Sequence, residues 1–300
     1  MLILRFIWTA VTLTCNLREF DRGIIQLVPS MLTRMIAFAL LLPTFCLAQS
    51  DDSPSKNVEF KIHNEVFVGG RSLAASSNLT LFQDRRVFDF RYLEGGTKIG
   101  EIAIFDAQDR SFVLLDVERK LRLEIDNIQL LRILEGMRNE LKNSPKVAHQ
   151  LFDDATEEFD AAANSIRVGN SRIKYDVVGK RPEEDQLLAA YLRFLENYTL
   201  LGATDPLRMP PFARIKLNRS IKKFGIMPES VSLKIFDQDG VSIEVAAKSQ
   251  HKLETELSSQ DRQLISLARQ YWMEFEQVGI ARYRSIEFAD SQSKPESSEP

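Results

Sequence analysis

Three histidines, His63, His149 and His251, are the side chains best suited to acid–base or metal chemistry near neutral pH. A metal-binding pair on a helix needs a second ligand four residues away, as in His-Glu-x-x-His, and none of the three has one. His63 lies among alternating polar residues and His251 follows the last expected hairpin, so each reads as a surface histidine. The acidic run Asp153-Asp154-Ala-Thr-Glu157-Glu158-Phe-Asp160 carries the carboxylates that Ca²⁺ prefers. It lacks the alternating acids and central glycine of a calcium loop and reads as a solvated turn or strand edge. Asp237-Gln-Asp239-Gly240 stands between two alternating segments and reads as a hairpin turn. There is no Gly-x-Ser-x-Gly, and no combined Ser-x-x-Lys, Ser-Asp-Asn and Lys-Thr-Gly set of the serine β-lactamase kind. Gly69-Gly70 and Gly95-Gly96 mark strand ends rather than a phosphate loop. No catalytic residue, cofactor site or metal site is assigned, and the chain reads as non-enzymatic.

One charged stretch has a physical use besides solubility. Arg214, Lys216, Arg219, Lys222 and Lys223 alternate with Phe212, Ile215, Leu217, Ile221 and Phe224. Such a basic amphipathic helix can lie on an anionic membrane or dock an acidic partner. It also fits a helix that packs its apolar side on a core and solvates the other. The last reading is preferred, because the remainder of the chain is acidic. The three Asn-x-Ser/Thr triplets, at Asn78, Asn197 and Asn218, read as chance.

The compartment follows from residues 31–48. Met31-Leu-Thr-Arg34 opens with one positive charge, an apolar run extends to Leu47, and Ala48 precedes polar residues. That is the order of a cleaved secretory signal. Translation is expected to start at Met31, with residues 1–30 as an extension outside the native chain, and cleavage is expected after Ala48. Neither this run nor the apolar stretch Met1 to Thr14, broken by Arg5, reaches the ~20 residues of a spanning helix. Lipidation of Cys46 is disfavoured by Phe45, which stands where a lipoprotein signal wants a small residue. The only cysteines, Cys15 and Cys46, fall in the removed part, so the mature chain has no disulfide and no thiolate nucleophile. The full chain holds 39 Lys+Arg and 42 Asp+Glu; removal of four arginines and two acids leaves 35 against 40, a net charge of −5. That balance argues against nucleic acid as a partner. The chain is expected to be exported and periplasmic or extracellular in a bacterium.

The rest reads as one domain over residues 57–288, followed by a polar, disordered tail at 289–300. Val58, Phe60, Ile62, Val66 and Val68 alternate with polar residues, which is the period of a half-buried strand. Further strands follow at 72–82, 87–93, 98–105, 112–115 and 121–125, joined by short turns. Six strands so joined make an antiparallel meander. Asp126 or Asn127 caps a helix to about Lys142 with a stripe of Leu131, Leu134, Met137 or Arg138, and Leu141. Short strands span 159–178. Pro182 opens a helix with Leu188, Tyr191, Leu192, Leu195 and Tyr198 on its apolar side. The basic helix at 212–224 ends at Gly225, a hairpin spans 231–245, and a last helix runs from about Ser258 to Val278. Its expected anchors are Leu264, Leu267, Ala268, Tyr271, Trp272 and Phe275, and a closing strand is expected at 281–288.

The phrase Glu101-Ile-Ala-Ile-Phe-Asp-Ala-Gln-Asp-Arg-Ser-Phe-Val-Leu-Leu-Asp-Val-Glu-Arg-Lys-Leu-Arg-Leu-Glu124, within a meander behind a signal peptide, resembles the LolA-type lipoprotein-carrier superfamily and related uncharacterised secreted bacterial proteins. The resemblance covers mainly residues 58–126. It implies an α+β fold, a curved antiparallel meander forming an incomplete barrel with helices over its open side. It also implies an apolar or lipidic ligand between sheet and helices. The competing expectation is a structural or interaction module whose sheet is filled by its own aromatics, since the chain has 19 Phe. An enzyme with a site assembled from distant strands is the third. The oligomeric state is left open.

Overall fold

The alternating segments pair as their periodicity requires, and they pair into one sheet. In the computed structural model the described residues are 58–93, 96–144, 148–205, 209–237 and 239–285, with only backbone described at 148 and 149. The signal, the 1–30 extension and the tail at 289–300 lie outside them. The first meander is β1 (Glu59–Val68), β2 (Ser76–Gln83), β3 (Arg86–Tyr92), β4 (Ile99–Asp106), β5 (Ser111–Asp116) and β6 (Leu121–Asp126). Its turns use left-handed backbone at Asp84, Arg110 and Lys120 (φ 55°, 49° and 54°). The Asp106 and Asp116 carboxylates stabilise two of these turns by accepting backbone N–H groups of Gln108 and Arg119.

Helix α1 (Asn127–Lys142) follows directly, with Asp126 and Gln129 forming a reciprocal capping box. A second meander begins with β7 (Thr156–Asp160), β8 (Ser165–Gly169) and β9 (Ile173–Lys180). Helices α2 (Asp185–Leu200) and α3 (Phe212–Phe224) are inserted before β10 (Met227–Phe236) and β11 (Ile243–Glu254). Gly225 ends α3 in left-handed conformation, φ 67°. Gly179 lets β9 approach β10: a Cβ there would lie 2.3 Å from the Met227 carbonyl oxygen. The chain closes with α4 (Ser259–Glu274), β12 (Glu276–Gln277) and α5 (Ile280–Arg284).

The twelve strands lie in the order β12-β6-β5-β4-β3-β2-β1-β11-β10-β9-β8-β7. Among the described residues, only β12 and β6 pair in parallel. The two meanders meet where β1 pairs with β11, from Lys61↔Glu254 to Val68↔Ala247. The fold is α+β, with a curved sheet that does not close into a barrel.

Alternate side chains divide the sheet into two apolar faces. Phe60, Phe82, Val87, Phe105, Phe112 and Leu114 pack with α1, α2 and α3. Leu81, Phe88, Phe90, Ile102, Ile104 and Leu115 point the other way and pack with Ile265, Ala268 and Phe275 of the last helix region. Helices therefore cover both faces of β2–β5, and α4 stands opposite the other three. This explains the unbroken apolar runs Ile102-Ala-Ile-Phe105 and Phe112-Val-Leu-Leu115, which a one-faced strand would not need.

Several expected details differ. The α1 stripe is rotated: Leu130 is fully buried while Leu131 is 48% exposed. Helix α2 starts at Asp185, three residues beyond Pro182, and no side chain caps it. The strand expected at 281–288 is the short helix α5 over its described residues, and the closing strand is β12. Trp272 and Tyr271 only border the outer core, whose centre is held by Ile265 and Ala268.

Candidate functional site

The middle of the helix-covered face is occupied by the chain's own rings. Phe60 stacks on Phe82 with centroids 3.9 Å apart, and Phe82 meets Phe194 of α2 edge-on at 5.7 Å. Phe105 contacts both Phe112 and Phe194, and Tyr198 lies 4.9 Å from Phe194. Each such pair adds roughly 0.5–1.5 kcal/mol beyond its burial.

A polar row crosses the same face beside these rings. Asp89 of β3, only 2% exposed, accepts hydrogen bonds from Thr80 at 2.6 Å, Asn78 at 2.6 Å and Tyr198 at 2.8 Å. Burial pushes its carboxyl above the usual carboxylate range, and the three donors and Arg91 pull it back. Asn64 donates to Asn78 at 2.7 Å, and its own Oδ1 is buried without a partner among the described residues. Directly across the β1–β11 ladder from Asn64 stands His251. At the other end, Arg91 and Arg284 both pair with Glu101, at 3.0 and 3.2 Å, which ties α5 to β3 and β4.

His251 is inside β11, on the face turned toward the helices, and not on the surface after the hairpin. Its Nε2 is 3.0 Å from Ser249 Oγ. Burial pushes its pKa down to about 4, and the positive charge of Arg214 adds to that effect. The same Arg214, in the first turn of α3, acts on the buried phenols of Tyr175 in β9 and Tyr191 in α2. Burial raises both phenol pKa values and the cation opposes it. Tyr175 and Tyr191 both belong to the apolar core between the sheet and α2–α3. Arg214 has no ion pair or hydrogen bond among the described residues, and neither phenol hydroxyl has a hydrogen-bond partner there.

The residues singled out by sequence fall elsewhere. His63 is exposed on the outer face of β1, and the His149 side chain lies outside the described residues. The run at 153–160 leads into edge strand β7, and its acids are dispersed. Asp153 faces Arg138, Asp154 accepts from Asn170, Glu157 binds Ser220 and Lys223, and Glu158 pairs with Arg167. Asp237 accepts backbone N–H groups of Val241 and Ser242, as a turn residue does. Among the described residues no group of three or more His, Cys, Asp or Glu is placed to hold a metal ion. The glycosylation-like Asn197 and Asn218 are buried in helix contacts.

The basic helix divides its labour. Leu217 and Ile221 are fully buried against the sheet, while Lys222 pairs with Glu196 and Lys223 with Glu157. No described helix is long and apolar enough to cross a membrane.

A concavity lies on the opposite, outer face of the second meander. It measures 380 Å³ and is lined by Phe67, Ala246, Arg71, Lys234, Lys248 and Gln250, among others. Phe67 is paired with Lys248, and Lys248 with Ser232, so one row of three strands forms its floor. Arg71, Lys234 and Lys248 have no ion pair among the described residues.

No known protein family and no curated protein matches the chain. The functional reading therefore rests on this geometry.

Proposed function

We propose that the mature chain is an exported, non-enzymatic interaction module of the bacterial cell envelope with a self-filled interior. The observation that carries this reading is the ring cluster of Phe60, Phe82, Phe105, Phe112 and Phe194, which occupies the space where a lipid carrier would hold its ligand. The curved, open sheet supports an architectural likeness to LolA-type carriers, while the filled centre argues against lipoprotein carriage. The contact surface is the outer concavity. Its three unpaired cations around Phe67 suit an acidic segment bearing an aromatic residue, because charge steers the encounter and the ring supplies apolar contact.

Two measurements test this. Mass spectrometry of natively purified protein should find no stoichiometric lipid; a bound lipid would restore the carrier reading. A labelled Asp- and Glu-rich peptide with one phenylalanine should bind the full chain in a salt-sensitive way. The exposed pair Lys234→Glu and Lys248→Glu should abolish that binding. Equal binding by parent and variant would remove the outer concavity as the contact surface.

A further inference from the structure

Among the described residues, β7 is the free margin of the sheet, paired with β8 on one side only. In and just before it, Asp153, Asp154, Thr156, Glu158, Phe159 and Asp160 are all exposed. Phe159 keeps 37% of its surface in solvent, and its ring stacks on Phe224 of α3 at 4.3 Å. The edge thus carries a fixed aromatic plate among carboxylates. Local cations do not cancel the charge: five acids meet Arg138, Arg167 and Lys223. The Arg138–Asp153 and Arg167–Glu158 pairs are exposed, contribute little and exchange readily. An open edge ordinarily invites a second edge. Antiparallel pairing of β7 with its own copy, centred on Glu158, would set that carboxylate opposite itself, which is unfavourable.

The outer concavity has the opposite make-up. Arg71, Lys234 and Lys248 line its 380 Å³ around Phe67, none with an ion pair among the described residues. The basic row continues to Lys174 of β9, directly opposite Lys234 in the ladder. Lys174 is exposed, lies 4.8 Å over the Phe236 ring, and also has no ion pair among the described residues. β7 lies three strands from β10 in the same sheet, roughly 14 Å at ~4.8 Å per strand. An edge strand cannot fold back onto the face of its own sheet, so the acidic edge and the basic concavity of one copy cannot meet each other.

We infer that the outer concavity receives residues 153–160 of a second copy of this chain, so that copies join edge to face. The inference rests on reading the concavity as a contact surface and names its occupant. Carboxylates of the edge meet Arg71, Lys174, Lys234 and Lys248, and the exposed ring of Phe159 meets Phe67. The two patches differ, so the contact is heterologous: a pair of copies still has one free edge and one free concavity, and growth continues. So short a contact belongs to the weak class, and its charges make it salt-sensitive.

The test uses residues 49–300 in full, with folding checked by thermal melts. In sedimentation velocity at low salt, the average mass should rise with concentration beyond two copies and fall back when salt is added. Lys234→Glu with Lys248→Glu disables the concavity, and Asp153→Asn with Glu158→Gln disables the edge. All four positions are exposed, so both variants should fold. Each should weaken self-association about fivefold or more. An equimolar mixture of the two variants should form one-to-one pairs and nothing larger, because the first keeps its edge and the second its concavity. A parent that stays monomeric up to about 1 mM, association that both variants leave unchanged, or a mixture that does not pair overturns the inference. If the labelled acidic peptide binds a parent that stays monomeric, the concavity stands as a contact surface and the second copy falls as its occupant. If neither peptide nor copy binds, both fall.

Discussion

The Tyr198 hydroxyl of α2 donates to the Asp89 carboxyl of β3 across 2.8 Å, so a helix is fastened to the centre of the sheet through a buried polar group. Tyr198→Phe keeps the ring on Phe194 and leaves one carboxylate oxygen short of a donor. Urea unfolding should show a loss of about 1–3 kcal/mol. The same substitution should cost less in an Asp89→Ala background, because the orphaned acceptor is gone. Equal costs in both backgrounds would show that the contact carries no coupling.

Why this pair escaped the sequence reading is physical. Asp89 sits in Arg86-Val-Phe-Asp-Phe-Arg-Tyr92, where Phe88 and Phe90 mark one face and the carboxylate marks the other as wet. That inference holds for a sheet covered on one side only. Here both faces of β3 are buried, and the tandem apolar runs of β4 and β5 were the available sign. The meander, a helix cap at Asp126 or Asn127 and the stop at Gly225 were legible because they depend on local period and turn chemistry. His251 was not, because Ala246-Ala-Lys-Ser249 hides the alternation that carries β11 on to Glu254. A single sequence also holds no record of which face of a strand meets which helix.

His251 should leave a mark on the pH dependence of stability. Its folded pKa of about 4 lies below the ordinary value of 6.5, so the unfolded chain takes up the proton first as pH falls. The stabilisation is complete above about pH 6.5, and it is lost progressively down to the folded pKa. Between pH 7 and pH 5 the parent should lose roughly 2 kcal/mol more than His251→Gln. Parallel stability curves for the two proteins would mean that this imidazole is solvated.

The last helix should be anchored by its small apolar contacts rather than by its largest ring. Ile265 is 2% exposed, whereas Trp272 lies at the rim with its Nε1 on Glu124 and Arg86 over its face. Ile265→Ala should therefore cost about 2–5 kcal/mol. Trp272→Ala should cost less, at most about 2 kcal/mol, since a rim cation–π contact is worth little. Thermal or urea unfolding of the two variants decides the order, and a larger loss at Trp272 would place the ring deeper than its contacts indicate.

The cations of α3 should be dispensable for folding and inactive toward membranes. An interfacial helix needs an apolar side free to enter the lipid. In α3 that side is spent on the sheet, with Leu217 and Ile221 fully buried. Lys222 and Lys223 already face Glu196 and Glu157, and exposed pairs of this kind contribute about 0–1 kcal/mol each. Replacing Lys216, Arg219, Lys222 and Lys223 together with Gln should lower stability by no more than about 2 kcal/mol. Parent and variant should both stay in solution when vesicles rich in anionic lipid are sedimented at low salt, because residues 49–300 hold 35 Lys+Arg against 40 Asp+Glu and are repelled. Pelleting of the parent that high salt and the four substitutions both abolish would show that α3 leaves the core to meet a membrane, and would move the function to the lipid surface.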